Sequence, residues 1–425
     1  MKLSIISDTH FGDDTCQLVT QQPLGGIGPG PKYQDFINAA GKDNDYLILV
    51  GDVFDFSIAS YEKAYTYGKA FFKLIQGDGV AKEIIYVAGN HDADIWHILQ
   101  HQRSVINKIL KGKPPERFQH SVAGIIDDRK ATSASQAGLT LDKTTVQPGP
   151  GPKYAGMFLD EITVDRPVAS QPPSGKATFF NFVYPNLYIL TDNGTALVTH
   201  GQYLEAAWAI IGELGSTIAY DDLKVGKVDV EEMVEMNFPL NQLLCTGVGQ
   251  AGVLTDVVRQ IQVDVKNHNL KRLTKYLDRL EKQIGIAKRF IWPIGWFVNF
   301  GIGKAKRALL DKIGGVGQAR NNNGFLSDDD SLRRLERFYQ STLLEIEDIN
   351  KRANRNIPAP LRIIYGHTHC PRSWDNPETI SKPSSLRPWL LLSNSGGWVV
   401  EGNAFCGAEV FTYETGIGFG SVSIR

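Results

Sequence analysis

The chain has 425 residues, of which 42% are hydrophobic and 21% are charged, and its formal net charge is −1. This length exceeds that of one compact domain, so we expect either one core with large insertions or two domains. The near-zero charge argues against a surface coated uniformly with basic residues for nucleic-acid binding. The four cysteines show no CxxC spacing and are too few for a disulfide scaffold, which favours a reducing compartment.

Strand and helix patterns alternate in the order β-α-β-α-β-α through the first 110 residues. The predicted strands that matter most are residues 2–7, 46–50, 83–87, 196–199 and 361–365. Helical periodicity predicts helices over 61–75 and 94–110. The tail from residue 389 predicts short antiparallel strands, at 390–392, 409–413 and 421–424.

Each of the five main strands runs directly into a short motif rich in histidine or aspartate. The motifs are Asp8-Thr9-His10, Gly51-Asp52-Val53-Phe54-Asp55, Gly89-Asn90-His91-Asp92, His200-Gly201 and Gly366-His367-Thr368-His369. Open α/β sheets bind ligands at the carboxyl ends of their strands, so this order predicts one functional site. On an extended strand, residues i and i+2 point to the same side, so we expect Asp8 and His10 to reach one cation.

The order and spacing of these motifs resemble those of the calcineurin-like metallophosphoesterase superfamily. The resemblance implies a four-layer α/β/β/α fold, in which two β-sheets pack on each other with helices outside and a helical insertion over the site. The catalytic domain would comprise residues 1–204 and 358–425, with a polar loop excursion at about 124–178. Residues 205–357 would form a mostly helical insertion or cap.

The same resemblance implies a binuclear metal centre whose ligands match this sequence residue by residue. The first metal would take Asp8, His10, Asp52 and His369, and the second would take Asp52, Asn90, His200 and His367. Mixed oxygen and nitrogen ligands accept Mn, Fe, Zn or Co, and we expect Mn to serve in vitro. Two such ions lower the pKa of a shared solvent molecule, so a metal-bridging hydroxide is the expected nucleophile.

The resemblance also assigns two residues that are not metal ligands. His91 would contact the phosphate or protonate the leaving oxygen, and Asp55 would accept the other imidazole proton and fix the tautomer of His91. Some family members continue this motif with arginine, whereas this chain has Phe56, which makes protein-phosphatase activity less favoured. We interpret Asp92, which follows a strand, as a turn residue.

The substrate is predicted from the late part of the insertion. Residues 266–320 carry thirteen Lys or Arg against three Asp or Glu, a local excess of +10. Within them, 286–307 contain an uncharged aromatic run of fourteen residues between basic flanks, too short to span a bilayer, which takes about 20 residues in a helix. This pattern suits a lid over a small-molecule or lipid-linked phosphoester, or a peripheral membrane contact, and equally a buried segment with solvated flanks.

The sequence is compatible with three functions. The first is a phosphoester hydrolase acting on a phosphodiester, a phosphomonoester or an amphiphilic pyrophosphate. A faint similarity to bacterial enzymes that cleave UDP-diacylglucosamine supports the last of these, although those enzymes have arginine where this chain has His91. The alternatives are a nuclease that uses 266–320, which the net charge disfavours, and a non-catalytic scaffold. Because Asp8 leaves no room for a leader upstream, we expect a cytoplasmic protein.

Overall fold

The computed structural model describes residues 1–130, 137–141, 179–205, 228–242, 329–380 and 390–425, with isolated positions between 250 and 279. The helices are α1 (Tyr33–Ala40), α2 (Tyr61–Asp78), α3 (Ala93–His101), α4 (Asn107–Leu110), α5 (Val230–Gln242) and α6 (Asp329–Ala353). A π-helical turn, Gln102–Ile106, separates α3 from α4, so the predicted helix at 94–110 is interrupted.

Seventeen strands are described in these ranges. They are β1 (Lys2–Ile6), β2 (Val19–Gln21), β3 (Ile27–Pro29), β4 (Asn44–Val50), β5 (Ala81–Val87), β6 (Gly124–Asp127), β7 (Gly138–Leu141), β8 (Phe179–Val183), β9 (Leu187–Thr191), β10 (Gly194–Val198), β11 (Arg362–Tyr365), β12 (Glu378–Thr379), β13 (Leu391–Asn394), β14 (Val400–Glu401), β15 (Ala404–Phe405), β16 (Ala408–Glu414) and β17 (Gly418–Ile424).

Two large sheets hold most of the described strands. The first has the order β17-β16-β1-β4-β5-β8, and the second has the order β12-β13-β11-β10-β9-β6-β7. Strands β1, β4, β5 and β8 run parallel, as do β10, β11 and β13. The carboxyl ends of β1, β4 and β5 therefore meet at one edge of the first sheet, and those of β10 and β11 meet at one edge of the second.

Both faces of the central strands are buried, which explains their continuous apolar sequences. In β4, Ile48 and Val50 belong to a cluster that also contains Ile189 and Ile364 from the second sheet. The two sheets therefore pack against each other through a shared apolar core. The alternate side chains of β4, such as Leu47, belong to a separate cluster formed with the helices.

Helix α6 packs on the second sheet. Its Phe338 and Ile349 are buried in the helix-bearing cluster, and its Glu345 carboxylate accepts a 2.8 Å hydrogen bond from Asn186 and a bond from the Tyr188 hydroxyl. The returning end of the predicted 205–357 insertion is thus held on the sheet. Residues 286–307 lie outside the described residues, as do all but isolated positions of 266–320. Within the described chain, no helix combines the length and hydropathy needed to cross a bilayer.

One predicted tail strand has a different partner from the one expected. The strand predicted at 390–392 is β13, which pairs parallel with β11 in the second sheet rather than joining an antiparallel tail. An apolar run indicates a strand but does not identify its neighbour, and the long connection from β11 permits a parallel crossover. The other two tail strands, β16 and β17, are antiparallel to each other as predicted.

The first residues of the predicted polar excursion at 124–178 form a buried strand. Residues 124–127 form β6, which is buried and pairs with β9 on one side and β7 on the other. The loop prediction is wrong for these residues because the polar composition of the whole segment obscured a four-residue strand. Residues 131–136 and 142–178 lie outside the described residues.

Candidate metal centre

The seven predicted metal ligands are all buried at the carboxyl ends of strands. The motifs follow the last residues of β1, β4, β5, β10 and β11. Exposed fractions of the seven residues lie between 0% and 3%. Buried charged and imidazole groups need partners or ions, so their convergence indicates a cation site.

At five of the seven predicted ligands the backbone is left-handed, whereas an extended backbone was predicted. Asp8, His10, Asp52, His367 and His369 have φ values of 53°, 47°, 49°, 68° and 54°. The i, i+2 argument is wrong here because β1 and β11 end before the ligands begin. Such a backbone costs an L residue roughly 1–3 kcal/mol. Hydrogen bonds between motifs stabilise it, from Asp8 N–H to Gly51 O at 3.0 Å and from His10 N–H to Asp52 O at 2.9 Å.

The first ligand cluster joins the first and last motifs. His10 Nε2 lies 3.0 Å from His369 Nε2, and Asp8 Oδ1 lies 3.3 Å from His369 Nε2. Two nitrogen ligands about 2.1 Å from one ion and at a right angle would be about 3.0 Å apart. The spacing therefore fits a shared cation.

The second cluster contains Asp52, His200 and His367, with Asn90 beside it. His200 Nε2 lies 3.2 Å from Asp52 Oδ2 and 3.1 Å from Asn90 Oδ1. Asp52 Oδ2 also lies 3.9 Å from His10 Nε2 of the first cluster, and it is a buried oxygen without a well-aligned hydrogen bond in the described structure. Asp52 therefore lies between the two clusters, where one carboxylate can serve both.

Each of the four histidines predicted to bind metal has its outer ring nitrogen fixed by a hydrogen-bond acceptor. Asp55 Oδ2 lies 2.7 Å from His10 Nδ1, and Glu401 Oε1 lies 2.7 Å from His369 Nδ1. Glu205 Oε2 lies 2.5 Å from His367 Nε2, and His200 Nδ1 donates to the Val50 carbonyl at 2.9 Å. These bonds place the imidazole protons outward, so lone pairs face one another inside the site. Only a cation or a proton relieves that arrangement.

The predicted pair of His91 and Asp55 lies next to the first cluster. Asp55 Oδ1 is 2.8 Å from His91 Nδ1, while its other oxygen binds His10. Ser57 Oγ donates to Asp55 at 2.7 Å and lies 2.7 Å from His91 Nδ1. Asp55 thus orients two imidazoles at once.

Comparison with known protein families connects this geometry to chemistry. The family model described as calcineurin-like phosphoesterase matches residues 1–149, which include the first three motifs. The match to residues 1–149 supports the metallophosphoesterase superfamily. This match indicates a hydrolase that acts on phosphoester bonds, and the histidine and aspartate clusters of the chain are able to bind metal. No curated protein matches the sequence.

The electrostatics of the phosphoesterase site favour bound cations. Burial alone would lower the pKa of His10, but the hydrogen bond and charge of Asp55 raise it to about 9. Burial likewise opposes the raised pKa of His200, which the Asp52 and Asp8 carboxylates bring to about 9. Burial lowers the pKa of His367 despite Glu205. The carboxylates therefore hold protons on two imidazoles wherever no metal replaces them.

Metal affinity is accordingly expected to fall as the pH falls below about 9. His10 and His200 are protonated at pH 7 without metal, and each must lose a proton before its inward nitrogen can bind an ion. Titration calorimetry with Mn²⁺ in buffers of different ionisation enthalpy should show up to two protons released in all. The apparent affinity should rise between pH 7 and 9 and level off above it. A dissociation constant that stays flat across this interval would contradict the assignment.

The buried Asp92 carboxylate connects the second and third motifs through hydrogen bonds, so the interpretation of Asp92 as a turn residue is wrong. Its carboxylate accepts hydrogen bonds from Val53 N–H at 2.8 Å, from Gly89 N–H at 2.6 Å and from the Tyr86 hydroxyl. The side chain is fully buried. It joins the loop that carries Asp52 to the loop that carries Asn90.

Replacing Asp92 with Ala should lower the free energy of unfolding by about 3–5 kcal/mol, because three buried donors lose their acceptor. Urea denaturation of the metal-free protein would measure the change. The partly exposed Asp35, replaced in the same way, is the control and should change stability by less than about 0.5 kcal/mol. Equal effects of the two substitutions would show that the Asp92 carboxylate does not stabilise the contact between the two loops.

The turn after β13 supports the last motif. Asn394 Nδ2 donates to Gly366 O and to Thr368 Oγ1, each at 2.9 Å. Trp398 N–H donates to Asp8 O at 3.0 Å, and Ser395 Oγ contacts Ser7 Oγ. Asn394, Ser395 and Trp398 belong to the run Asn-Ser-Gly-Gly-Trp at 394–398. Its function is to hold the loops that carry Asp8, His367 and His369.

Proposed function

We propose that the chain hydrolyses phosphoesters with two divalent metal ions, for which Mn, Fe, Zn and Co are suitable and Mn is the expected activator in vitro. The observation that carries this proposal is the set of inward lone pairs in two clusters that share Asp52. Asp8, His10 and His369 would hold one ion, and Asn90, His200 and His367 would hold the other. Asp52 would contact both.

The chemistry divides between the ions and the chain. Bound ions would supply Lewis acidity toward the phosphoryl oxygens and a water of lowered pKa. His91, held by Asp55 and Ser57, would contact the phosphate or give a proton to the leaving oxygen. Burial of the whole donor set excludes bulk water and strengthens each electrostatic contact.

We further propose that the two packed sheets form the centre of a four-layer α/β/β/α catalytic domain, with α1, α2 and α3 outside one sheet and α6 outside the other. The shared apolar core between the sheets and the separate cluster with the helices support this arrangement. Residues 205–357 would then be the insertion, returning to the domain through α6.

The first test is an assay of purified protein against matched chromogenic phosphomonoester and phosphodiester substrates. Protein stripped by chelator should be inactive, and Mn²⁺ should restore turnover at about two ions per chain. The preferred ester would separate phosphatase from diesterase activity. Two bound ions without turnover of any phosphoester would support the scaffold alternative instead.

The proposed substrate class is an amphiphilic phosphodiester or pyrophosphate. The aromatic run with basic flanks at 286–307 favours it, since such a run suits acyl chains and anionic headgroups. We propose a cytoplasmic enzyme that contacts membranes peripherally through this segment. Deleting 286–307 should reduce activity on lipid phosphates more than on soluble ones, and an equal effect on both would reject the idea. Strong retention on DNA that weakens steeply with salt would favour the nuclease alternative.

A further inference from the structure

Glu205 lies at the junction between the catalytic sheet and the predicted insertion. It follows the short 3₁₀ turn Gln202–Leu204, which begins directly after the His200-Gly201 motif. Its side chain is 9% exposed, and Oε2 lies 2.5 Å from His367 Nε2. Its other oxygen, Oε1, is buried and accepts no hydrogen bond within the described residues. A carboxylate so deeply buried is costly unless it has a partner that needs its charge.

The bond to Glu205 determines which nitrogen of His367 faces the second cluster. With the proton held at Nε2, the ring presents Nδ1, which is buried and has no hydrogen-bond partner in the described part of the chain. His367 belongs to the same donor group as Asp52 and His200, and its ring meets that of His200 edge to face at 5.2 Å. Rotating the ring or moving the proton would remove this lone pair from the second site.

The fold holds Glu205 in place from two sides. Tyr203 and Leu204 of the 3₁₀ turn are buried in the same apolar cluster as α6, and α6 packs on this turn. Glu205 N–H donates to the Gln202 carbonyl at 3.1 Å. The turn that positions Glu205 is therefore fixed by the helix that ends the insertion.

We propose that Glu205 is the positioning residue of the second metal site, acting through His367. This inference rests on the proposed binuclear function. Glu205 fixes the Nε2–H tautomer and the ring orientation of His367, so its loss should weaken binding of the second ion and leave the first in place. Glu401 does the same for His369 at the first site.

The test compares metal binding by the wild type, Glu205→Gln, Glu205→Asp and Glu205→Ala. Loss of such a partner typically costs about 10- to 100-fold in metal affinity. We expect E205Q to weaken the second Mn²⁺ by that factor, E205D to recover part of the loss, and E205A to bind one ion. Electron paramagnetic resonance should show a coupled Mn²⁺ pair in the wild type and an isolated ion in E205A. The turnover number should fall, with little change in KM.

Two controls separate the possible failures. Glu345→Gln removes another buried carboxylate, on α6 and away from the site, and should leave two ions bound. If E205A fails to fold, E205Q has the same shape and carries the test, with thermal unfolding as a check. Variants at Glu205 that keep two ions at wild-type affinity would overturn this inference alone. A wild type that binds fewer than two ions would overturn the binuclear function itself.

Discussion

Asp52→Asn is expected to abolish phosphoester hydrolysis, with a fall in turnover of about three orders of magnitude or more. The Asp52 carboxylate lies between the two donor clusters, 3.2 Å from His200 Nε2 and 3.9 Å from His10 Nε2. Burial opposes its ionisation, but the charges of His200 and His91 hold its pKa well below the usual range. An amide of the same shape removes the shared negative charge, so both ions should bind more weakly.

Metal content and turnover should be measured together for this variant. Asp35→Asn is the matched control, because Asp35 pairs with Lys32 at 3.1 Å on the surface and should keep both ions and full activity. An Asp52→Asn protein that keeps two tightly bound ions and normal turnover would show that Asp52 does not join the clusters.

Gly366→Ala should have the second largest effect, because the fold leaves no room for the added methyl group. A Cβ atom at this position would lie 2.1 Å from Asp8 Oδ2 and 2.2 Å from Ser7 Oγ, far inside van der Waals contact. The backbone N–H of His367 in this loop holds the Asp8 carboxylate, since it lies 3.0 Å from Asp8 Oδ2. We expect the methyl group to displace Asp8, to empty the first metal site and to destabilise the protein by roughly 1–3 kcal/mol.

Gly77→Ala provides the control for this change. Gly77 is exposed in α2, and a Cβ there meets nothing within 4 Å. It should stabilise the helix by up to about 1 kcal/mol and leave metal binding unchanged. The two variants should be compared by thermal unfolding and by metal content. Full metal occupancy in Gly366→Ala would mean that Asp8 can move without loss of the site.

The strands and motifs could be predicted from sequence because both depend on local patterns. Continuous apolar runs indicate buried parallel strands, and a polar motif after each run indicates a shared edge. The left-handed backbone at Asp8 and His367 could not be predicted, since aspartate and histidine do not require it. Hydrogen bonds between distant parts of the chain stabilise it.

The carboxylates that accept hydrogen bonds from these histidines could not be predicted from the sequence either. Glu205 lies five residues after His200, and Glu401 lies in a separate hairpin strand, so neither stands at a fixed spacing from the histidine that it binds. Asp92 was visible in the third motif, but its burial depends on loops from two strands. Contacts of this kind depend on tertiary packing, which a single sequence does not specify.

The position of β1 in the first sheet has a consequence for biosynthesis. β1 lies between β4 and β16, and Lys2 pairs with Glu414. During translation at about 5–20 residues per second, one edge of β1 stays open for tens of seconds after β4 has emerged. An open edge can pair wrongly with other chains, so a chaperone that shields it would raise the yield. His369 also emerges late, 359 residues after His10. The proposed first metal site would therefore be completed only after His369 has been synthesised.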